Sequence, residues 1–282
     1  MRSFGALIGF VIQVAMVLAL AGPAAAEVRI DGPTPIVIGQ SFRLDSAVMG
    51  GSREINVYLP AGYAQGETRY PVLFLLDGGQ DQDFHHISGL AQLGPLGGSS
   101  RELIVVGVAT RDRRNELTHP TDEADLMRDF PTAGGSERFR RFLAQEVLPF
   151  VKGRFRTEGP STLIGESLAG LFVVETFLKQ PDLFDAYVAS SPSLWWDGGS
   201  LASEAESLLS RHPSEPHVLI LTLANEGGEM QAGMDRLTAA LRTAAPAGLD
   251  WRYDPRPDQT HGTLFHGAAL EAVRRLYPAA PQ

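Results

Sequence analysis

Short, uninterrupted runs of Val, Ile and Leu alternate along this chain with stretches whose apolar residues recur at helical spacing, and that alternation restricts the fold more than any other feature. Such runs read as strands covered on both faces, and strand–helix alternation closes as a largely parallel sheet sandwiched between helices. The runs are 72–76, 103–108, 161–164, 186–190 and 218–223, with a last strand near 251–253. Helical patterns fall at 136–155, where Ser136 is the expected cap, at 169–178, at 230–241 and in the terminal segment that contains His266. Residues 36–47 and 53–59 instead alternate apolar and polar character around Gly50-Gly51, the pattern of an antiparallel hairpin at a sheet edge. The expected fold is α/β, with one mostly parallel sheet, helices on both faces and an antiparallel N-terminal hairpin.

The chain has 282 residues, enough for one sizeable core, and shows no internal repeat or linker. Its start reads as an export signal: Arg2, an apolar stretch from Leu7 to Leu20, then Ala24-Ala25-Ala26. The expected division is a signal peptide over 1–26 and one catalytic domain over 27–282, placed in a periplasm or the medium outside, with no stable membrane association after cleavage. No cysteine occurs, so no disulfide framework ties the fold to a redox compartment. The first 26 residues hold one basic and no acidic side chain, leaving 23 Lys+Arg against 33 Asp+Glu and a formal charge of −10. That charge argues against nucleic acid or anionic lipid as partners.

Chemistry concentrates at Gly165-Glu166-Ser167-Leu168-Ala169-Gly170, a serine between a strand and a helix. This is the setting of a nucleophile elbow, where a strained turn lifts the hydroxyl above the sheet; Ala169 stands where glycine is usual. A serine hydroxyl needs a base, and the base needs an acid to hold its tautomer. His261, in Gln259-Thr260-His261-Gly262 after the last strand, is the candidate base. Glu226, in the Gly-flanked turn after 218–223, is the candidate acid, with Glu229 in reserve; a first-turn helix residue is the simpler reading of Glu229. The oxyanion is expected to meet the Leu168 N–H and one amide from Gly78-Gly79-Gln80.

The segments 71–78, 105–108 with 111–120 after it, 165–172, 190–196 and 260–262 together resemble the esterase D-like family of α/β-hydrolases. The Ser-Pro-Ser-Leu-Trp-Trp stretch and the Asn-Glu-Gly-Gly turn are most similar to bacterial siderophore esterases. The resemblance implies hydrolysis of a small-molecule carboxylic ester through an acyl-enzyme, with no metal and no organic cofactor. An acyltransferase with the same triad, or an inactive scaffold, is the alternative.

Trp195 and Trp196 are expected to wall the substrate pocket, and Arg111, with Arg113 and Arg114, to draw in an anionic ester from an irregular loop over 111–135. Asp77, Asp81, Asp83, His85 and His86 crowd together, but their spacing fits no metal signature, and they read as a polar loop at the pocket rim.

Overall fold

A computed structural model describes residues 32–280. The export signal expected over 1–26 lies outside the described residues. In its contacts the chain divides into residues 1–37 and 38–282; within the first unit, residues 32–37 carry no regular secondary structure. No helix among the described residues is long and apolar enough to cross a membrane.

The second unit is built on an eight-stranded sheet. Its strands are β1 (Gln40–Ser46), β2 (Gly51–Tyr58), β3 (Tyr70–Leu76), β4 (Ile104–Val108), β5 (Thr157–Glu166), β6 (Ala186–Ser190), β7 (His217–Ala224) and β8 (Leu249–Arg256). They lie in the order β1-β2-β4-β3-β5-β6-β7-β8. The N-terminal hairpin pairs antiparallel at one edge, and β2 joins β4 antiparallel; all remaining pairs are parallel. The hydrophobic pattern is the reason: the inner strands β3, β4 and β6 are buried along their whole length, whereas β1 alternates exposed and half-buried positions.

Alternate residues of the inner strands feed two separate cores. Leu73, Leu75, Val105, Ile164, Val188 and Ile220 pack under α1 (Phe84–Leu96) and α9 (His261–Leu276). Val72, Phe74, Leu76, Val106, Leu163 and Leu219 pack on the opposite face under α4 (Ser136–Phe142), α5 (Leu148–Arg154), α6 (Leu168–Lys179), α7 (Trp196–Leu209) and α8 (Gly228–Ala244). The period of two along a strand thus becomes the two-sided burial that parallel sheets require.

Several sequence expectations are corrected. The segment 136–155 is not one α-helix: a π-turn over Leu143–Val147 separates α4 from α5. Pro149 explains it, since it has no N–H for the Gln145 carbonyl and its ring would crowd that oxygen in a regular turn. Ser136 does not cap the segment; Gly135 holds the cap position, and Ser136 is buried in the first turn. The stretch from Asp77 to His86 is only in part a loop, because α1 starts at Phe84 and takes in His85 and His86. The segment 111–135 contains two short helices, α2 (Arg113–Leu117) and α3 (Ala124–Asp129).

At the carboxyl end of β3 the chain bends over β4 with no room for side chains. A Cβ on Gly78 would sit 2.3 Å from Gly107 Cα, and one on Gly107 would sit 2.4 Å from the Gly78 oxygen. Paired glycines are therefore required where the β3 loop turns over the sheet.

Candidate active site

The carboxyl ends of β5, β6 and β7 are level, with Glu166 opposite Ser190 and Ser190 opposite Thr222. Ser167 follows at once, with φ 61° and ψ −120°, and α6 begins at Leu168. A non-glycine residue holds a positive φ only where its surroundings impose it. Three hydrogen bonds do so here: Ser167 N–H donates to Ser190 O at 3.0 Å, and Ser167 O accepts from Ser193 N at 3.0 Å and Leu171 N at 2.9 Å. Small neighbours let the turn close, since a Cβ on Gly165 would meet the Ala169 methyl at 2.7 Å. Alanine at 169 fits because glycine stands at 165.

His261 is the first residue of α9. A capping box fixes that helix start, the Thr260 side chain accepting from the third-residue backbone while Thr263 Oγ1 accepts from Thr260 N–H at 3.0 Å. The turn before it is tied to the turn carrying the acid by Asn225 N–H donating to Gln259 O at 2.9 Å. Across that junction His261 Nδ1 hydrogen-bonds Glu226 Oε1. The carboxylate is 11% exposed and the imidazole 47%, so the acid is shielded while the far edge of the ring is open. The other Glu226 oxygen is buried without a hydrogen-bond partner. Glu229 is exposed in the first turn of α8, away from the imidazole's bond.

Ser167, Leu168, Ser193, Trp195, Trp196, Glu226 and His261 line one cavity of about 340 Å³, together with Arg113, Arg114, Phe130 and Met230. Three segments far apart in sequence therefore line one cavity. The Ser167 hydroxyl faces Ser193 Oγ at 3.4 Å and makes no hydrogen bond to the imidazole. Such contacts commonly tighten only with substrate bound.

The expected oxyanion amides divide. Leu168 opens α6 and has no carbonyl one turn back to serve. In the β3 loop, Gly78 N–H is spent on Val108 O at 3.0 Å and Gly79 N–H on Gln82 Oε1 at 2.8 Å. Both glycines are thereby corrected as donors; the Gln80 N–H is not committed in this way, and Gln80 is exposed and outside the residues that line the cavity. Of the three arginines, Arg113 and Arg114 reach the cavity and Arg111 does not; its side chain is exposed and its N–H donates to Glu116 Oε2 at 3.1 Å. The cause is a buried two-pronged ion pair, Arg53 Nη1 to Glu116 Oε1 at 2.7 Å and Nη2 to Oε2 at 2.8 Å, which sets α2 on the sheet. Arg113 Nε then bonds Asp77 Oδ2 at 2.7 Å, and Arg114 stacks on Phe130 at 4.2 Å.

Trp195 is half-buried, whereas Trp196 is buried and donates its Nε1–H to His119 O at 2.9 Å. His266 sits exposed in α9 and stacks on His86, their ring nitrogens 2.8 Å apart. Among the described residues, no group of three or more His, Cys, Asp or Glu is arranged to hold a metal ion.

Sequence reasoning missed three participants. Ser193 was read only as part of a motif, and Phe130 lies in a segment read as irregular loop. Glu166 was quoted only as part of the elbow motif, yet its Oε1 is buried without a partner. Burial pushes its carboxyl up to about 7, with Asp83 and Glu226 adding to the rise and His261 and Arg113 opposing it. No signal in the local sequence marks that environment.

A serine at a positive-φ elbow above a mostly parallel sheet, sharing a cavity with a carboxylate-held histidine, defines an α/β-hydrolase. The family model described as "Putative esterase" matches residues 46–240, and the chain belongs to that family. It is 30% identical to an IroE-like serine hydrolase from Shewanella oneidensis, with a TM-score of 0.76 over 85% of this chain and 80% of that one. Siderophore hydrolase EstB from Aspergillus nidulans shares the fold, with a TM-score of 0.75 at 21% identity over 90% of this chain and 99% of that one. The ferri-bacillibactin esterase BesA of Bacillus subtilis (strain 168) is 28% identical over 177 residues, 57% of this chain. The match spans 60% of the length of BesA.

Proposed function

We propose that the chain is a serine carboxylic ester hydrolase that works through an acyl-enzyme on siderophore or other small-molecule esters. One observation carries the reading: the imidazole that Glu226 holds by Nδ1 lines the same cavity as a serine on a strained elbow. Relatives that carry siderophore-esterase names supply the substrate class.

Ser167 Oγ attacks the ester carbonyl while His261, through the nitrogen not held by Glu226, takes the hydroxyl proton. The carbonyl electron pair moves to oxygen, which meets the Leu168 and Gln80 N–H groups; each such donor contributes about 2.7–4 kcal/mol to the transition state. Collapse expels the alcohol, which leaves with the proton from His261. Water then repeats the sequence on the acyl-enzyme, freeing the acid and Ser167. Trp195 and Phe130 offer apolar walls and Arg113 and Arg114 a positive one, matching an aromatic, anionic ester such as a catecholate.

Replacing Ser167 by alanine is expected to abolish hydrolysis of p-nitrophenyl butyrate, by about 10⁴-fold or more, with the melting temperature kept. A fluorophosphonate probe should label the wild type and not S167A. Turnover persisting in S167A overturns the proposal.

A further inference from the structure

Glu166 is the half-buried carboxyl beside the nucleophile that the mechanism above leaves idle. It ends β5, its carbonyl accepts from Arg113 Nη2 at 3.3 Å, and its Oε1 is enclosed without a hydrogen-bond partner. Four charged or titratable groups act on it, and a fifth holds one of them. His261 faces it from α9, Glu226 from the turn after β7, Asp83 from the residue before α1 and Arg113 from α2, while Asp77 at the end of β3 holds Arg113 by its Nε. Asp83 is itself pushed up by burial and by Asp77, with Arg113 opposing. Three carboxyls thus share one imidazole and one guanidinium already committed to a fourth.

We infer that Glu166 is a positioning residue for the Ser167–His261 pair: a second carboxyl that adjusts the charge against which the imidazole accepts its proton. The inference rests on the esterase reading. Acyl transfer turns the imidazole into an imidazolium, and a carboxylate close by in a partly buried site favours that form, whereas a carboxylic acid does not. Because burial holds the Glu166 carboxyl near 7, it changes between those two forms around neutrality. The same negative charge opposes the oxyanion less, since that oxygen is served by amides at the positive end of α6.

Glu166→Gln fixes the neutral form. For p-nitrophenyl butyrate, read where p-nitrophenol and its anion absorb equally, the kcat/KM ratio of wild type to E166Q is expected to rise on the order of tenfold between about pH 6 and about pH 8. A merely structural role makes that ratio independent of pH, and a flat ratio overturns the inference. E166D keeps an ionisable carboxyl, and its kcat/KM ratio to E166Q is expected to rise with pH again; a ratio that stays flat overturns the inference. Should E166Q not fold, ¹³C-carboxyl glutamate NMR carries the test: the resonance lost in E166D is expected to titrate near 7 in the wild type, and titration in the ordinary glutamate range overturns the inference. S167A run in parallel separates the two claims. Turnover surviving there sinks the esterase reading, while a flat E166Q ratio beside an inactive S167A sinks only the role of Glu166.

Discussion

The carboxyl ends of the strands and the body of the sheet obey different rules in this molecule. In the body, Leu73, Leu75, Val105, Ile164, Leu219 and Leu221 are buried, and their backbone groups are paired across parallel strands. At the carboxyl ends, Asp77, Ser167 and Ser191 follow β3, β5 and β6 directly with positive φ, and Asp197 in the kink beyond β6 completes the set of such non-glycine residues among the described ones. Four orphaned polar atoms lie there too: Glu166 Oε1, Glu226 Oε2, Ser190 Oγ and Thr222 Oγ1. Each strained residue costs about 1–3 kcal/mol, and only a well-packed support holds several in place. A second cavity, of about 550 Å³, sits against the amino ends of β3 and β5 and is larger than the first. It lacks a histidine and any strained nucleophile, so size alone does not mark a site.

That contrast can be broken by exchanging the properties of the two regions. Glu226→Gln keeps the shape of the strained end but removes the charge that holds the imidazole, and kcat/KM is expected to fall on the order of 10³- to 10⁴-fold with stability little changed. A loss below tenfold, measured by stopped-flow hydrolysis of the same ester, would mean that the acid does not act there. The body answers in the opposite way. Phe172, fully buried on the core face of α6 and 5.3 Å from the Phe139 ring, when replaced by alanine is expected to lower the unfolding free energy by about 3–5 kcal/mol, while the folded fraction keeps its turnover.

Glu166 joins the two regions, because one of its oxygens is enclosed as in the body while the group is titratable like the site. A carboxyl raised to about 7 in the folded chain against an ordinary 4.5 binds its proton more tightly when folded. Its burial therefore favours the folded state at low pH, and that contribution is lost as pH rises from 4.5 through about 7. In urea titrations the stability of E166Q relative to wild type should grow by about 2 kcal/mol across that window, after allowance for solvent screening of a partly exposed group. A constant difference would remove Glu166 from the strained end. The smallest expected effect sharpens the elbow: Ala169→Gly restores the usual glycine but loosens a helix start and removes a buried methyl, for a loss of about 1 kcal/mol with the elbow intact.

Local chemistry explains what could be read from the chain alone. A strand run followed by Gly-Glu-Ser-Leu-Ala-Gly and a helical pattern places Ser167 whatever lies elsewhere, and the turns after β7 and β8 place Glu226 and His261 by the same short-range logic. Helix α1 was also legible, with Phe84, Ile87, Leu90 and Ala91 buried at helical intervals, but the carboxylates and imidazoles around its start drew the reading toward a loop. Helix α7 was hidden by Asp197-Gly198-Gly199, whose left-handed backbone interrupts its pattern.

What remained belongs to distance through space. That Arg113 and Arg114, and not Arg111, meet the cavity follows from a buried ion pair between residues 53 and 116. That Gly78 and Gly79 have spent their amides depends on Val108 and Gln82, and that Ser193 faces the nucleophile depends on how the β6 loop folds over β5. The charge state of Glu166 depends on burial and on four side chains drawn from four different elements. Backbone propensity and turn chemistry act over a few residues and are written in the order of the chain; desolvation and ion pairing act over ångströms between residues that only the closed sheet makes neighbours.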